Sequence, residues 1–174
     1  HKGILWTQHS LAERDKDVTM QNSGAGTGGR TLVLVKPDGV QRGLVGRIIT
    51  RLEEKGLQLV AVKLVRVSED LARRHYADHV GKGFYSGLVE FITSSPVVAM
   101  VVSGKGAVEV VRRLMGETDP LRAAPGTIRG DLGLDIGYNL VHGSDSPEAA
   151  EREIALLFSP EEILDYRREL EPWI

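Results

Sequence analysis

The chain has 174 residues, 41% hydrophobic and 26% charged, enough for one globular domain with a real core. Lysine and arginine number 22 against 24 acidic residues, and the net charge of −2 argues against a general nucleic-acid binder, which needs a basic footprint, while leaving room for a local cationic pocket. There is no cysteine, which excludes disulfides and thiolate metal sites, and no apolar run approaches the roughly eighteen residues of a membrane span.

Residues 1–30 read as an N-terminal tail. The segment opens at His1, carries one short apolar cluster (Ile4, Leu5, Trp6), and ends in a Gly-rich run, with Met20 a candidate start and one short helix expected near 11–18. Residues 31–174 read as the folded domain. Leu32 to Val35 form a buried-strand run closed by the turn chemistry of Lys36, Pro37, Asp38 and Gly39. Leu44, Val45, Ile48, Ile49 and Leu52 recur at helical spacing, and Gly56 stands where that helix stops. A β-branched run at 57–67 predicts a second strand. Ser68 caps a helix running to about Asp78, and 87–92 predicts a second, shorter helix. Residues 96–102 read as the third strand and 106–115 as a helix. The long segment 116–137, rich in Gly, Asp and Pro, suggests a functional loop. Residues 139–142 predict a fourth strand. Ser146-Pro147 opens a helix whose inward stripe is Ile154, Leu157 and Phe158, and Ser159 with Glu162 forms a capping box for a last helix. The order predicts an α/β sandwich of the ferredoxin-like βαββαβ kind. Its four-stranded antiparallel sheet is covered by helices on one face, with a helical hairpin insertion and a long loop before the last strand.

Two patterns are set aside. Gly24-Ala-Gly-Thr-Gly-Gly29 matches a dinucleotide fingerprint in letters, but a polar tail precedes it and a strand follows, the reverse of what phosphate binding at a helix N-terminus needs. His75 and His79 have zinc-chelating spacing but no third ligand, so a solvated or capping role is the better reading.

The chemistry concentrates around His142. A strand-end histidine is more often merely capped by its neighbours, but three features favour a reactive role. Gly143 leaves room for close approach to the ring. Glu153 on the next helix, directly or through Ser144, can fix the tautomer and leave the other nitrogen nucleophilic. The cations Lys36, Arg112 and Arg129 lie in segments that can return to the same strand end. One oriented histidine with positive charge around it meets the needs of phosphoryl transfer.

Those segments also carry a resemblance. Lys36-Pro-Asp-Gly-Val-Gln-Arg-Gly43, Pro125-Gly-Thr-Ile-Arg-Gly-Asp131 and the HGSDS core at His142 resemble the nucleoside diphosphate kinase family, without gaps from about residue 30 to 173. The resemblance implies a ping-pong enzyme with broad base specificity that passes a phosphoryl group between nucleotides through phosphohistidine at His142, supported by Glu153 and Ser144. It implies a phosphate and sugar pocket of Lys36, Tyr76, Arg112, Thr118, Arg129 and Asn139, with Gly143 beside it. The arginines and the threonine take phosphates, and Lys36 and Asn139 take the sugar 3′-hydroxyl. Phe84 and Ile136 would sandwich the base, with Leu88 near it, because stacking accepts any base. By pattern alone Tyr76, Phe84, Leu88 and Ile136 would be core residues.

Magnesium is expected to arrive on the nucleotide's phosphates, there being no dedicated carboxylate cage. The resemblance further implies a cytoplasmic homo-oligomer, a hexamer rather than a tetramer from the 120–125 loop and the 171–174 tail, with no membrane and no dedicated nucleic-acid partner. Gly83-Phe84-Tyr85-Ser86 departs from the family's usual Pro-Phe-Phe-Pro, and Val102-Ser103 from its Trp-Glu. The rival classes are a nucleotide-binding regulator and a structural assembly protein. Single-strand readers on such sheets display strand aromatics, and strands 32–35, 57–67 and 97–102 carry none.

Overall fold

The computed structural model describes residues 29–169. The expectations placed on 1–28 (the short helix and most of the Gly-rich run) and on the tail 171–174 lie outside the described residues. In chain order the elements are β1 Gly29–Val35, α1 Pro37–Gln41, α2 Val45–Glu54, β2 Gln58–Val65, α3 Glu69–His75, α4 Tyr85–Thr93, β3 Val97–Gly104, α5 Ala107–Met115, α6 Ile128–Leu132, β4 Val141–Gly143 and α7 Pro147–Leu157. The sheet order is β2-β3-β1-β4 with every pair antiparallel, the ferredoxin-like arrangement that the element order implies.

The central strands are apolar on both faces, so both faces must be covered. Val33, Val35, Met100, Val102 and Val141 pack under Ile48 and Leu52 of α2 and Val111 and Met115 of α5. Leu32, Leu34, Ala99 and Val101 point the other way, into a cluster closed by Phe158 with Ile154 and Leu157. The expectation of helices on one face is therefore corrected: α7 lies on the opposite face from α2 and α5. The hairpin of α3 and α4 closes a third cluster of Val67, Ala72, Tyr76, Ile92 and Val97.

Three local expectations also change. Lys36 to Gly39 is not a turn but the start of α1, because Pro37 at the first helical position needs no hydrogen bond and its fixed φ suits a helix. The 116–137 segment holds α6, capped by the Thr127 hydroxyl, which accepts from the Gly130 amide. The Ser159 capping box does form, but it starts only a single 3-10 turn, Pro160–Glu162. Beyond that turn the chain runs along the outer edge of β2. The Leu164 amide donates to the Val60 carbonyl at 2.9 Å, and the Tyr166 hydroxyl donates to the Leu59 carbonyl at 2.8 Å. An edge strand's unpaired groups compete effectively for such a segment.

Gly143 does not open space beside the His142 ring. Successive strand residues face opposite sides, and a Cβ at Gly143 would meet Met115 Sδ at 2.6 Å and Val111 Cγ1 at 2.8 Å. Its bareness lets α5 sit against β4. Gly143→Ala is expected to cost about 1–3 kcal/mol of stability by overpacking, read as a lower denaturant midpoint; an unchanged midpoint would refute this packing role.

Candidate active site

His142 is the middle residue of β4, paired across β1 with Leu34, and its side chain faces the α7 side of the sheet. There its Nε2 lies 2.9 Å from Glu153 Oε2, and the Ser144 hydroxyl donates to the same oxygen at 2.7 Å. Glu153 is held in place because α7 is well started: Ser146 caps it by accepting from the Ala149 amide at 3.1 Å, and Pro147 occupies the first turn. Burial pushes the Glu153 carboxyl up. The hydrogen bond from His142, the charge of that ring and the Ser144 hydroxyl together outweigh it and hold Glu153 below its ordinary value. An ionised Glu153 can only accept, so the imidazole proton sits on Nε2 and Nδ1 keeps its lone pair.

His75 corrects the sequence reading. It is neither solvated nor a cap: its ring lies edge-on to His142 with centroids 4.7 Å apart, and edge-on to Tyr76 at 4.6 Å. Both its ring nitrogens are buried without a partner among the described residues. Burial first, then the neighbouring His142, lowers its pKa to about 4. It is therefore a neutral wall beside His142. The available signal was its adjacency to Tyr76. His79 instead stays at the surface side, 3.0 Å from Lys82 Nζ, and joins no ligand set with His75.

The cations converge as a chain of contacts. Lys36 Nζ donates to Asn139 Oδ1 at 2.8 Å, and Asn139 Nδ2 donates to the Thr118 carbonyl at 2.9 Å. Burial, then the charge of Arg129, lowers Lys36 to about 8. Arg129 is 5% exposed, and its guanidinium donates to the carbonyls of Asn139, Gly116 and Val141 at 3.2, 3.1 and 2.8 Å. No carboxylate is within ion-pair distance of it among the described residues. Burial and the charge of Arg112 lower it to about 10. Its loop is pinned by Asp131, which accepts from the Gly126 amide at 2.8 Å and from Arg51 at 2.5 Å. Arg112 is half exposed and ion-paired to Asp145, a residue the sequence reading quoted in the HGSDS motif without assigning a role. A buried guanidinium without a counter-ion is costly unless an anion arrives.

Leu140 joins these residues to the histidine. It is fully buried, has φ of 71°, and the Val141 amide donates across it to the Asn139 carbonyl at 2.8 Å, closing a γ-turn. A branched residue at positive φ costs about 1–3 kcal/mol, held by its surroundings.

The residues assigned to the base divide. Phe84 and Ile136 are exposed, at 59% and 60%, the latter at the tip of the Asp135–Tyr138 turn. They are not core residues, which leaves them free to stack. Leu88 is half-buried against the α3–α4 cluster and fits its pattern reading as core. Tyr76 is buried with its hydroxyl unpartnered among the described residues; burial, reinforced by Glu153, pushes that hydroxyl up.

The family model described as nucleoside diphosphate kinase matches residues 29–163. The chain belongs to the nucleoside diphosphate kinase family. It is 61% identical over 145 residues to the nucleoside diphosphate kinase of Archaeoglobus fulgidus, covering 83% of this chain and 96% of that one. The Pelotomaculum thermopropionicum family member is 58% identical, with 83% and 97% covered. Among solved structures, the Halobacterium salinarum kinase in complex with CDP superposes with a TM-score of 0.82 at 57% identity, covering 84% of this chain and 97% of that chain. The Borrelia burgdorferi kinase, a transition-state mimic with bound vanadate and ADP, gives 0.77 at 44% identity, with 82% and 94% covered.

The site suits magnesium carried by a substrate. His75, His142 and Glu153 offer ligand atoms within 4.8 Å of one another, but two imidazoles are poor ligands for magnesium. Beside Arg112 and Arg129 lies the carboxylate of Asp145, which already balances Arg112.

The neutral His75 makes stability depend on acid. Between about 6.5 and about 4 the unfolded chain binds a proton there that the folded chain refuses, so stability falls as pH drops through that window. Glu153, depressed in the fold, adds its own loss as pH falls below its ordinary value of 4.5, at the lower end of that window. His75→Phe should flatten the fall above the carboxylate range in denaturant titrations, and equal pH slopes in wild type and variant would remove this account.

Proposed function

We propose that the chain transfers the terminal phosphoryl group of a nucleoside triphosphate to a nucleoside diphosphate by a ping-pong mechanism, with His142 as the carrier. The observation that carries this reading is the bond between His142 Nε2 and the ionised Glu153, which leaves Nδ1 with its lone pair. In the first half-reaction the Nδ1 lone pair forms a bond to the γ-phosphorus. The bond from phosphorus to the bridging oxygen breaks, and its electrons leave with the diphosphate. The imidazole ring becomes cationic, and Glu153 stabilises it through the Nε2 proton. A second diphosphate then attacks the phosphohistidine and reverses the sequence.

Arg129 is the natural anchor for phosphate, being buried, cationic and without a carboxylate of its own among the described residues. Arg112 would exchange Asp145 for phosphate oxygens, and Thr118, whose carbonyl holds Asn139, would add its hydroxyl. Lys36 and Asn139, already joined, suit the sugar hydroxyl and the transferred group. The unpartnered Tyr76 hydroxyl supplies a further donor at the histidine side. Exposed Phe84 and Ile136 suit the two faces of any base, which supports broad specificity. Magnesium, bound to the nucleotide, supplies neutralisation of phosphate charge. We also place the enzyme in the cytoplasm as a homo-oligomer, a hexamer rather than a tetramer; sedimentation tests the assembly.

Incubation with ATP alone should give an acid-labile phosphoryl adduct on His142. His142→Ala should lose exchange activity by at least about a thousandfold. Mass spectrometry showing no adduct at His142, or full exchange by His142→Ala, would overturn the mechanism.

A further inference from the structure

We propose that Asp38 is a positioning residue for the phosphoryl transfer, acting on His142 through the strained turn at Leu140. Asp38 Oδ2 accepts from the Leu140 amide at 3.0 Å, across a sequence separation of 102 residues. The Lys36 amide donates to the Leu140 carbonyl at 2.8 Å, so the two ends of this one peptide-linked residue are gripped from the β1–α1 junction. Gly39 makes the grip possible, since a Cβ there would meet Val35 Cγ1 at 2.7 Å and the Leu140 carbonyl at 3.1 Å.

The held residue has the only positive φ of any non-glycine among the described residues, and functional residues flank it. Asn139 precedes it and takes Lys36; Val141 follows and gives its carbonyl to Arg129; His142 comes next. A leucine released from φ of 71° relaxes toward negative φ. That rotation would swing Asn139 relative to His142 and detach at least one of the Arg129 carbonyl contacts. The Asp38 carboxylate thus fixes the angle between the segment that binds and the residue that reacts, without touching either substrate or imidazole.

The same carboxylate also lies near Lys36, and a purely electrostatic role is the competing explanation. The two make opposite demands. Asp38→Asn keeps an oxygen acceptor at the same reach and loses the charge. Asp38→Glu keeps the charge and moves the acceptor by a methylene. Asp38→Ala loses both. The inference rests on His142 as the phosphorylated residue, so the readout is the single-turnover rate of phosphohistidine formation at saturating ATP, beside the melting midpoint.

If the turn is what matters, Asn stays within about threefold of wild type while Glu and Ala fall by about a hundredfold, the scale of a small misplacement of reacting groups. A Glu variant near wild type with a crippled Asn variant overturns the inference, as do three variants that all react at the wild-type rate. Should Asp38→Ala fail to fold, the Asn and Glu pair still decides. Absence of phosphohistidine in the wild type would instead defeat the underlying mechanism, a separate result.

Discussion

A single buried oxygen, Glu153 Oε2, receives hydrogen bonds from both the His142 ring and the Ser144 hydroxyl, and the chemistry of the site depends on it. An imidazole is useful as a nucleophile only when its proton is held on the far nitrogen and its ring cannot swivel. The carboxylate does the first, and the edge-on His75 ring restricts the second. Because Glu153 sits on α7, the aim of the histidine depends on how that helix packs on the sheet. Phe158, Ile154 and Leu157 secure it there, so the apolar face of α7 sets where Glu153 meets the His142 ring.

Around that point the charges are distributed unevenly. On the histidine side one carboxylate faces the rings of His142 and His75, the latter kept neutral by burial. On the other side Lys36 and Arg129 are buried among carbonyls and an amide, with Asp38 near Lys36 and the Arg112–Asp145 pair at the rim. Burial lowers the pKa of both Lys36 and Arg129, with the charge of Arg129 adding to the effect on Lys36 and that of Arg112 to the effect on Arg129. These two positive charges are held in place by the cores on either side of the sheet.

The strands, α2, α5 and α7 were legible in the sequence because their apolar spacing is regular and their caps are local. His142, Glu153, Ser144, Lys36 and Arg129 were legible as candidates because short motifs concentrate them. What was not legible depended on long-range packing. His75 looked like half of a solvated pair, and only the approach of α3 to β4 puts its ring against His142. Gly143 looked like clearance for the ring, whereas the close approach of α5 explains it. The capping box at Ser159 forms, yet the chain after it follows the edge of β2, where unpaired strand carbonyls take the Leu164 amide and the Tyr166 hydroxyl. Covering of both sheet faces was implied by the unbroken apolar runs in β1 and β3, a cue outweighed by the topological analogy.

Local rules are broken at several places around the site. Leu140 takes a backbone angle suited to glycine, Arg129 is a buried cation without a carboxylate, and His75 buries two ring nitrogens without partners among the described residues. A natural sequence tolerates such conflicts where they are tied to function and over-determined by their surroundings. Here the ties are explicit: Asp38 and Lys36 grip Leu140, three carbonyls grip Arg129, and two aromatic neighbours enclose His75. Each conflict is thus held by groups from a different part of the chain, so the site can exist only once β1, β4, α3 and α7 have come together.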